Sequence, residues 1–221
     1  MKQLICLICL AFLISGCALF DSPRQMEKTA DQLAAEGSSA FMRGKYRAAI
    51  TAYTDLKDWY PFSRYAILAE LKIADAHFHL KEYTQAIAAY EQFERMHPRN
   101  EAIPYVINQI GLSWFNQIDT VDRDITPAKN ALAQFRRLME QFPEDEYAQE
   151  APERIQACID KIAGHELYVA TFYMKTGQYL AGLKRFEHIV EFYPGTPQSE
   201  TALNLIPECA ALLAEKEAKK D

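Results

Sequence analysis

Residues 44–61, GKYRAAITAYTDLKDWYP, return in altered form as KEYTQAIAAYEQFERMHP at 81–98, TPAKNALAQFRRLMEQFP at 126–143 and GQYLAGLKRFEHIVEFYP at 177–194. Each phrase ends in proline. Fifteen residues before it stand Tyr46, Tyr83, Ala128 and Tyr179. Three further on come Ala49, Ala86, Ala131 and Gly182, then Ile50, Ile87, Leu132 and Leu183, and at seven Tyr53, Tyr90, Phe135 and Phe186. Offsets of three, four and seven share one face of an α-helix. The closing proline has no N–H to continue the helix. Each phrase is therefore predicted to be the second helix of a hairpin.

Nine residues before the leading tyrosines are Gly37, Ala74 and Ala170, small enough to let a first helix approach its partner closely. This is the tetratricopeptide (TPR) pattern. In the third unit the corresponding Gly111 lies seventeen residues before Ala128. An eight-residue insertion around Asp119 to Thr126 (DTVDRDIT) accounts for the difference. The proline intervals of 37, 45 and 51 agree, and the last leaves room for a lengthened first helix or an extra one across Glu146–Tyr173. Pro152 is expected to start or kink that segment. Gln198–Lys219 reads as a lone terminal helix, and a complete fifth hairpin does not fit. The fold class is all-α: a TPR helical-hairpin solenoid of about four and a half repeats, a form that usually binds extended segments or other domains.

The opening residues follow a different logic. Lys2 is a minimal positive region, and Leu4–Ile14 (LICLICLAFLI) is an unbroken run of eleven apolar residues, suited to export and too short to span a bilayer. Ile14-Ser15-Gly16-Cys17 then matches the lipobox of bacterial lipoproteins. The small residues at 15 and 16 let the backbone enter a signal peptidase, and the thiol of Cys17 carries a diacylglycerol thioether before cleavage. Residues 1–16 are thus expected to be a signal peptide and 17–26 a lipidated linker. Residues 27–98 would form units 1–2, and 99–221 units 3–4 plus the terminal helix. Ala18 in place of Asp removes the usual inner-membrane retention signal. The expected location is the outer membrane, with the body in the periplasm, anchored by a covalent diacylglycerol and N-acyl lipid on Cys17.

The whole chain has 221 residues, 24 Lys+Arg against 30 Asp+Glu, a formal net charge of −6 and a pI of about 5.5. No basic stripe marks a nucleic-acid binder. Three of the five cysteines lie in the export signal, and Cys158 and Cys209, in helical patterns with apolar neighbours, are expected to be free and buried. His77 and His79 are two apart and cannot chelate from one helix face. Asp119, Asp122 and Asp124 lack calcium-loop spacing. GxSxG, Walker and dinucleotide motifs are absent. No cofactor, metal or catalytic site is expected. Phe41, Phe78 and Phe115, 37 apart and four residues after the close-contact positions, either line a peptide groove or pack between hairpins.

Trp59–Tyr83 (WYPFSRYAILAELKIADAHFHLKEY) and Val121–Ala151 (VDRDITPAKNALAQFRRLMEQFPEDEYAQEA) are more particular than generic TPR positions. They resemble the BamD family, TPR lipoproteins of the outer-membrane β-barrel assembly machinery, and the resemblance runs from about residue 27 to 213, including a break at Leu205-Ile206-Pro207. It implies a non-enzymatic scaffold. The N-terminal repeats would receive unfolded outer-membrane proteins, and the C-terminal repeats would hold the POTRA region of the barrel subunit BamA, beside other assembly lipoproteins. By matching residue, Tyr60, Pro61, Phe62 and Tyr65 fall at the substrate pocket and Arg185 at the barrel-subunit interface. A TPR lipoprotein organising cell-wall, division or pilus machinery is the alternative.

Overall fold

The computed structural model describes residues 28–219, so the export signal and Cys17 lie outside the described residues. Within them the chain forms four hairpins and a terminal helix. The hairpins pair α1 (Ala30–Met42) with α2 (Tyr46–Trp59), α3 (Ala66–His79) with α4 (Tyr83–Met96), α5 (Ile103–Phe115) with α6 (Thr126–Gln141), and α7 (Glu146–Lys175) with α8 (Tyr179–Phe192). Helix α9 is Pro197–Ala218. Among the described residues there is no strand. Each helix packs on its chain neighbours, and α7 reaches both α5 and α9. This is the TPR solenoid expected from the repeat.

Local chemistry sets the ends. The four second helices stop at Tyr60, His97, Phe142 and Tyr193, each directly before a proline, with φ between −137° and −128° and ψ between 46° and 57°. Crowding by the proline ring expels the preceding residue from the helical region. The turns inside hairpins one, two and four are built alike around Gly44 (φ 69°), Lys81 (φ 60°) and Gly177 (φ 74°). In each, the residue with positive φ donates to the carbonyl three back, and the next donates five back, as Lys45 does to Ala40 at 2.9 Å. Thr29, Asp145 and Thr196 cap α1, α7 and α9 with their side-chain oxygens.

The expected close contacts are present. A Cβ placed on Gly37 would lie 2.7 Å from the Tyr53 ring, and one on Gly111 would lie 2.7 Å from Phe135. Tyr53, Tyr90, Phe135 and Phe186 are buried with Leu56, Phe93, Leu138 and Ile189 three residues on. One apolar cluster runs from Ala74 through Ile103 and Ile110 to Leu138 and Ala148, so the core is continuous across residues 98 and 99.

One pair of alternatives is decided and two expectations are corrected. The stretch Glu146–Lys175 is one continuous helix of 30 residues, the lengthened first helix and not an extra one, with Pro152 inside it and not at its start. Asp145 supplies the start, accepting from the Tyr147 N–H at 2.9 Å. Ala148, Ala151 and Cys158 bury the first half of α7 against the third hairpin, and Ala170 buries the second half against α8 and α9. Packing on both sides of Pro152 outweighs the one backbone hydrogen bond it forgoes. Likewise α9 runs through Pro207 without the break expected there, held by Ala202 and by Cys209, whose thiol donates to the Tyr179 carbonyl at 3.3 Å. Thr126 begins α6 and is not part of the inserted loop.

Candidate binding surface

Phe41 ends α1 half-buried. Its ring meets Tyr46 across the hairpin turn at 5.3 Å and His79 of the next hairpin at 5.5 Å, and the Lys72 ammonium stands 5.0 Å from it. His79 stacks on Tyr46 at 4.7 Å and 7°. Phe78 repeats the arrangement against Tyr83 at 5.7 Å. Phe41 thus seals the junction to the next hairpin through His79, while Phe78 closes the turn of its own hairpin and packs on the core behind it. Phe115, 6.4 Å from Phe135, instead lines an open depression of about 360 Å³ with Glu150, Glu153, Arg154 and Ala157 of α7. Arg154 is steered there by Glu150 at 2.9 Å and by Asn108 at 3.3 Å.

Behind this face lies a polar cluster that sequence reading missed. Asp75, 4% exposed, accepts the hydroxyls of Tyr90 and Tyr105 on one carboxylate oxygen, each at 2.8 Å, and the Lys72 ammonium on the other at 2.8 Å. Three helices are joined at one carboxylate. Burial and the neighbouring Asp75 charge push both tyrosine phenols up. The signal was available: Asp75 is an acid between Ala74 and Ala76 in an apolar helical stretch, the place where an unpaired charge is costly.

The turn between the first two hairpins is arranged differently from a pocket. The Tyr60 hydroxyl donates to the Lys28 carbonyl at 2.9 Å, and the Tyr65 hydroxyl donates to Asp31 at 2.6 Å. Arg64 pairs with Asp31 and lies over the Tyr65 ring at 4.7 Å. These bonds hold the Asp31 carboxyl below its usual range. Both tyrosines are therefore engaged with the start of α1, Pro61 is exposed, and Phe62 is entirely exposed. A wholly exposed Phe62 packs against none of Phe41, Phe78 or Phe115.

Arg185 of α8 meets Glu166 of α7 at 2.5 Å and faces the Tyr173 ring at 5.6 Å, with 39% of its side chain exposed. It is neither fully solvated nor free. The inserted loop folds back on α7: His165 Nδ1 bonds the Val121 carbonyl at 2.7 Å, and the Val121 side chain sits over Gly164, where a Cβ would come within 3.2 Å of it. Cys158 and Cys209 are free and buried, as expected, and burial pushes the Cys158 thiol up to about 11. His77 pairs with Glu82 and His97 with Glu70, whereas His188 lies against the Phe192 ring at 4.4 Å. Among the described residues no group of three His, Cys, Asp or Glu side chains is placed to hold a metal, and no helix is long and apolar enough to cross a membrane.

Comparison with known proteins matches residues 26–221 to the family described as YfiO, outer membrane lipoprotein. The outer membrane protein assembly factor BamD of Neisseria meningitidis serogroup A is 30% identical, over 93% of this chain and 83% of its own length. The assembly factor of the same name from Vibrio cholerae is 28% identical over 79% and 76%. The one from Caulobacter vibrioides is 28% identical over 88% and 64%. Among solved structures, the TPR2AB domain of yeast Sti1 in complex with pHSP90 overlays 83% of this chain and 74% of its own, with a TM-score of 0.46 and 15% identity. MamA overlays 88% of this chain and 95% of its own, with a TM-score of 0.43 and 16% identity.

Proposed function

We propose, on the premise that this chain belongs to the YfiO family of outer membrane lipoproteins, that it serves without catalysis as a lipid-anchored TPR scaffold of the outer-membrane β-barrel assembly complex. It receives unfolded barrel precursors and binds the POTRA region of a BamA-type barrel subunit, alongside other assembly lipoproteins. The observation that carries this reading is the match over residues 26–221, with an assembly factor 30% identical across 93% of the chain. Acyl chains on Cys17 hold the scaffold at the periplasmic face of the outer membrane, and tethering raises the effective concentration of each partner for the other.

The geometry supports a division of labour. A precursor segment needs an apolar surface with a few polar groups, and the depression bordered by Phe115, Ala157 and Arg154 offers one. Arg154 is a planar donor that suits a peptide carboxylate. At the other end Arg185 keeps part of its guanidinium open while paired to Glu166, so an interface carboxylate can share or replace that partner. Purification of the tagged chain after mild solubilisation of membranes tests the reading. A BamA-type barrel subunit copurifies if it holds. Recovery of a secretin or a septal cell-wall synthase without that subunit overturns it.

A further inference from the structure

We infer that the aromatic turn between the first two hairpins, Trp59 with Phe62, seats in the phospholipid interface and orients the solenoid on the membrane. The inference rests on the reading that Cys17 is acylated. The last residue of α2, Trp59, is 54% exposed and Phe62 is 100% exposed, and Ile67 and Leu68 in the first turn of α3 are 44% and 49% exposed. No other stretch of ten described residues exposes four large apolar side chains.

The place where the chain enters the fold is bonded to this turn. Tyr60, between Trp59 and Phe62, donates its hydroxyl to the Lys28 carbonyl at 2.9 Å, while Tyr65 and Arg64 bond Asp31. Cys17 lies eleven residues before Lys28. A fully extended chain of that length spans at most about 40 Å. The aromatic turn and the root of the tether are therefore one locus, the part of the fold held nearest the acyl chains.

The form of the turn favours a bilayer over a peptide. A peptide site needs walls, and a ring that is 100% exposed has none. A bilayer interface needs no wall, since aromatic rings partition to the boundary of headgroups and acyl chains. No cationic patch draws the turn to lipid headgroups: Lys28 is paired to Glu36, Arg64 to Asp31, and the exposed neighbour of Trp59 is the acid Asp58, so the contact is one of ring insertion. The tether makes shallow insertion of two rings sufficient, because the encounter is intramolecular.

The acylated full chain is reconstituted into vesicles of phosphatidylethanolamine and phosphatidylglycerol, and the emission of Trp59 is taken as the difference between the wild type and Trp59→Phe. Lipid brominated high on its acyl chains should remove roughly half of that emission, as for an indole at the headgroup boundary. Phe62→Ser should restore much of it, with unchanged helical circular dichroism. A chain that floats with the vesicles while Trp59 stays open to aqueous iodide overturns the inference and leaves the anchor standing. A chain that does not float overturns both. Release of Trp59 from the lipid by a peptide ending in phenylalanine makes the turn a peptide site and overturns the inference.

Discussion

At the scale of single residues, Lys81 is a small conflict between sequence and backbone. It occupies the left-handed position that Gly44 and Gly177 take in the equivalent turns. A side chain there strains the backbone by about 1–2 kcal/mol, and glycine returns part of that as flexibility of the unfolded chain. Lys81→Gly should raise the stability by about 0.5–1 kcal/mol, read as a higher urea midpoint at unchanged slope. Asp75 is the opposite case, a buried group whose removal orphans three partners. Asp75→Ala should cost about 3 kcal/mol in the same measurement, and Asp75→Asn, which still accepts from the tyrosines, clearly less. The lysine was legible once the repeats were aligned, because its equivalents are glycines. The aspartate stood out as an acid in an apolar stretch, but its partners did not, because Tyr90 and Tyr105 come from helices 15 and 30 residues away.

At the scale of helices, what was legible is what is local. Apolar spacing and the proline that closes each second helix placed α2, α4, α6 and α8 nearly to the residue, since the cap geometry before proline is steric. The prolines inside α7 and α9 misled for the complementary reason: burial of Ala151, Cys158, Ala202 and Cys209, which no local rule contains, carries both helices through. The inserted loop was placed by counting, but its clasp on Gly164 and His165 was not foreseen. Long-range packing also decides the three phenylalanines. All three pack on a core cluster, but Phe41 and Phe78 also close hairpin turns against Tyr46 and Tyr83, whereas Phe115 also borders an open depression. Phe115→Ala should therefore weaken binding of a synthetic peptide that copies a barrel precursor's last strand, even at temperatures where the variant remains fully folded by circular dichroism. Phe41→Ala and Phe78→Ala should lower the melting temperature. Unchanged peptide binding by the folded Phe115→Ala variant would remove the groove from Phe115.

At the scale of the whole molecule, packing between chain neighbours makes a solenoid whose two ends are free to do different things. The N-terminal end carries the exposed aromatic turn and the root of the proposed tether, the middle carries the Phe115 depression, and the C-terminal end presents the Arg185–Glu166 pair. Separate surfaces of this kind are what the proposed scaffold between a membrane, a precursor and a barrel subunit requires. That role is read most plainly in the amount of folded barrel protein in the outer membrane, followed by heat-modifiable gel mobility, as this chain is depleted from its own cell. Folded barrel proteins should fall as the chain disappears and recover when it is re-expressed. Folded barrel proteins that stay at their starting level through complete depletion would refute the scaffold role.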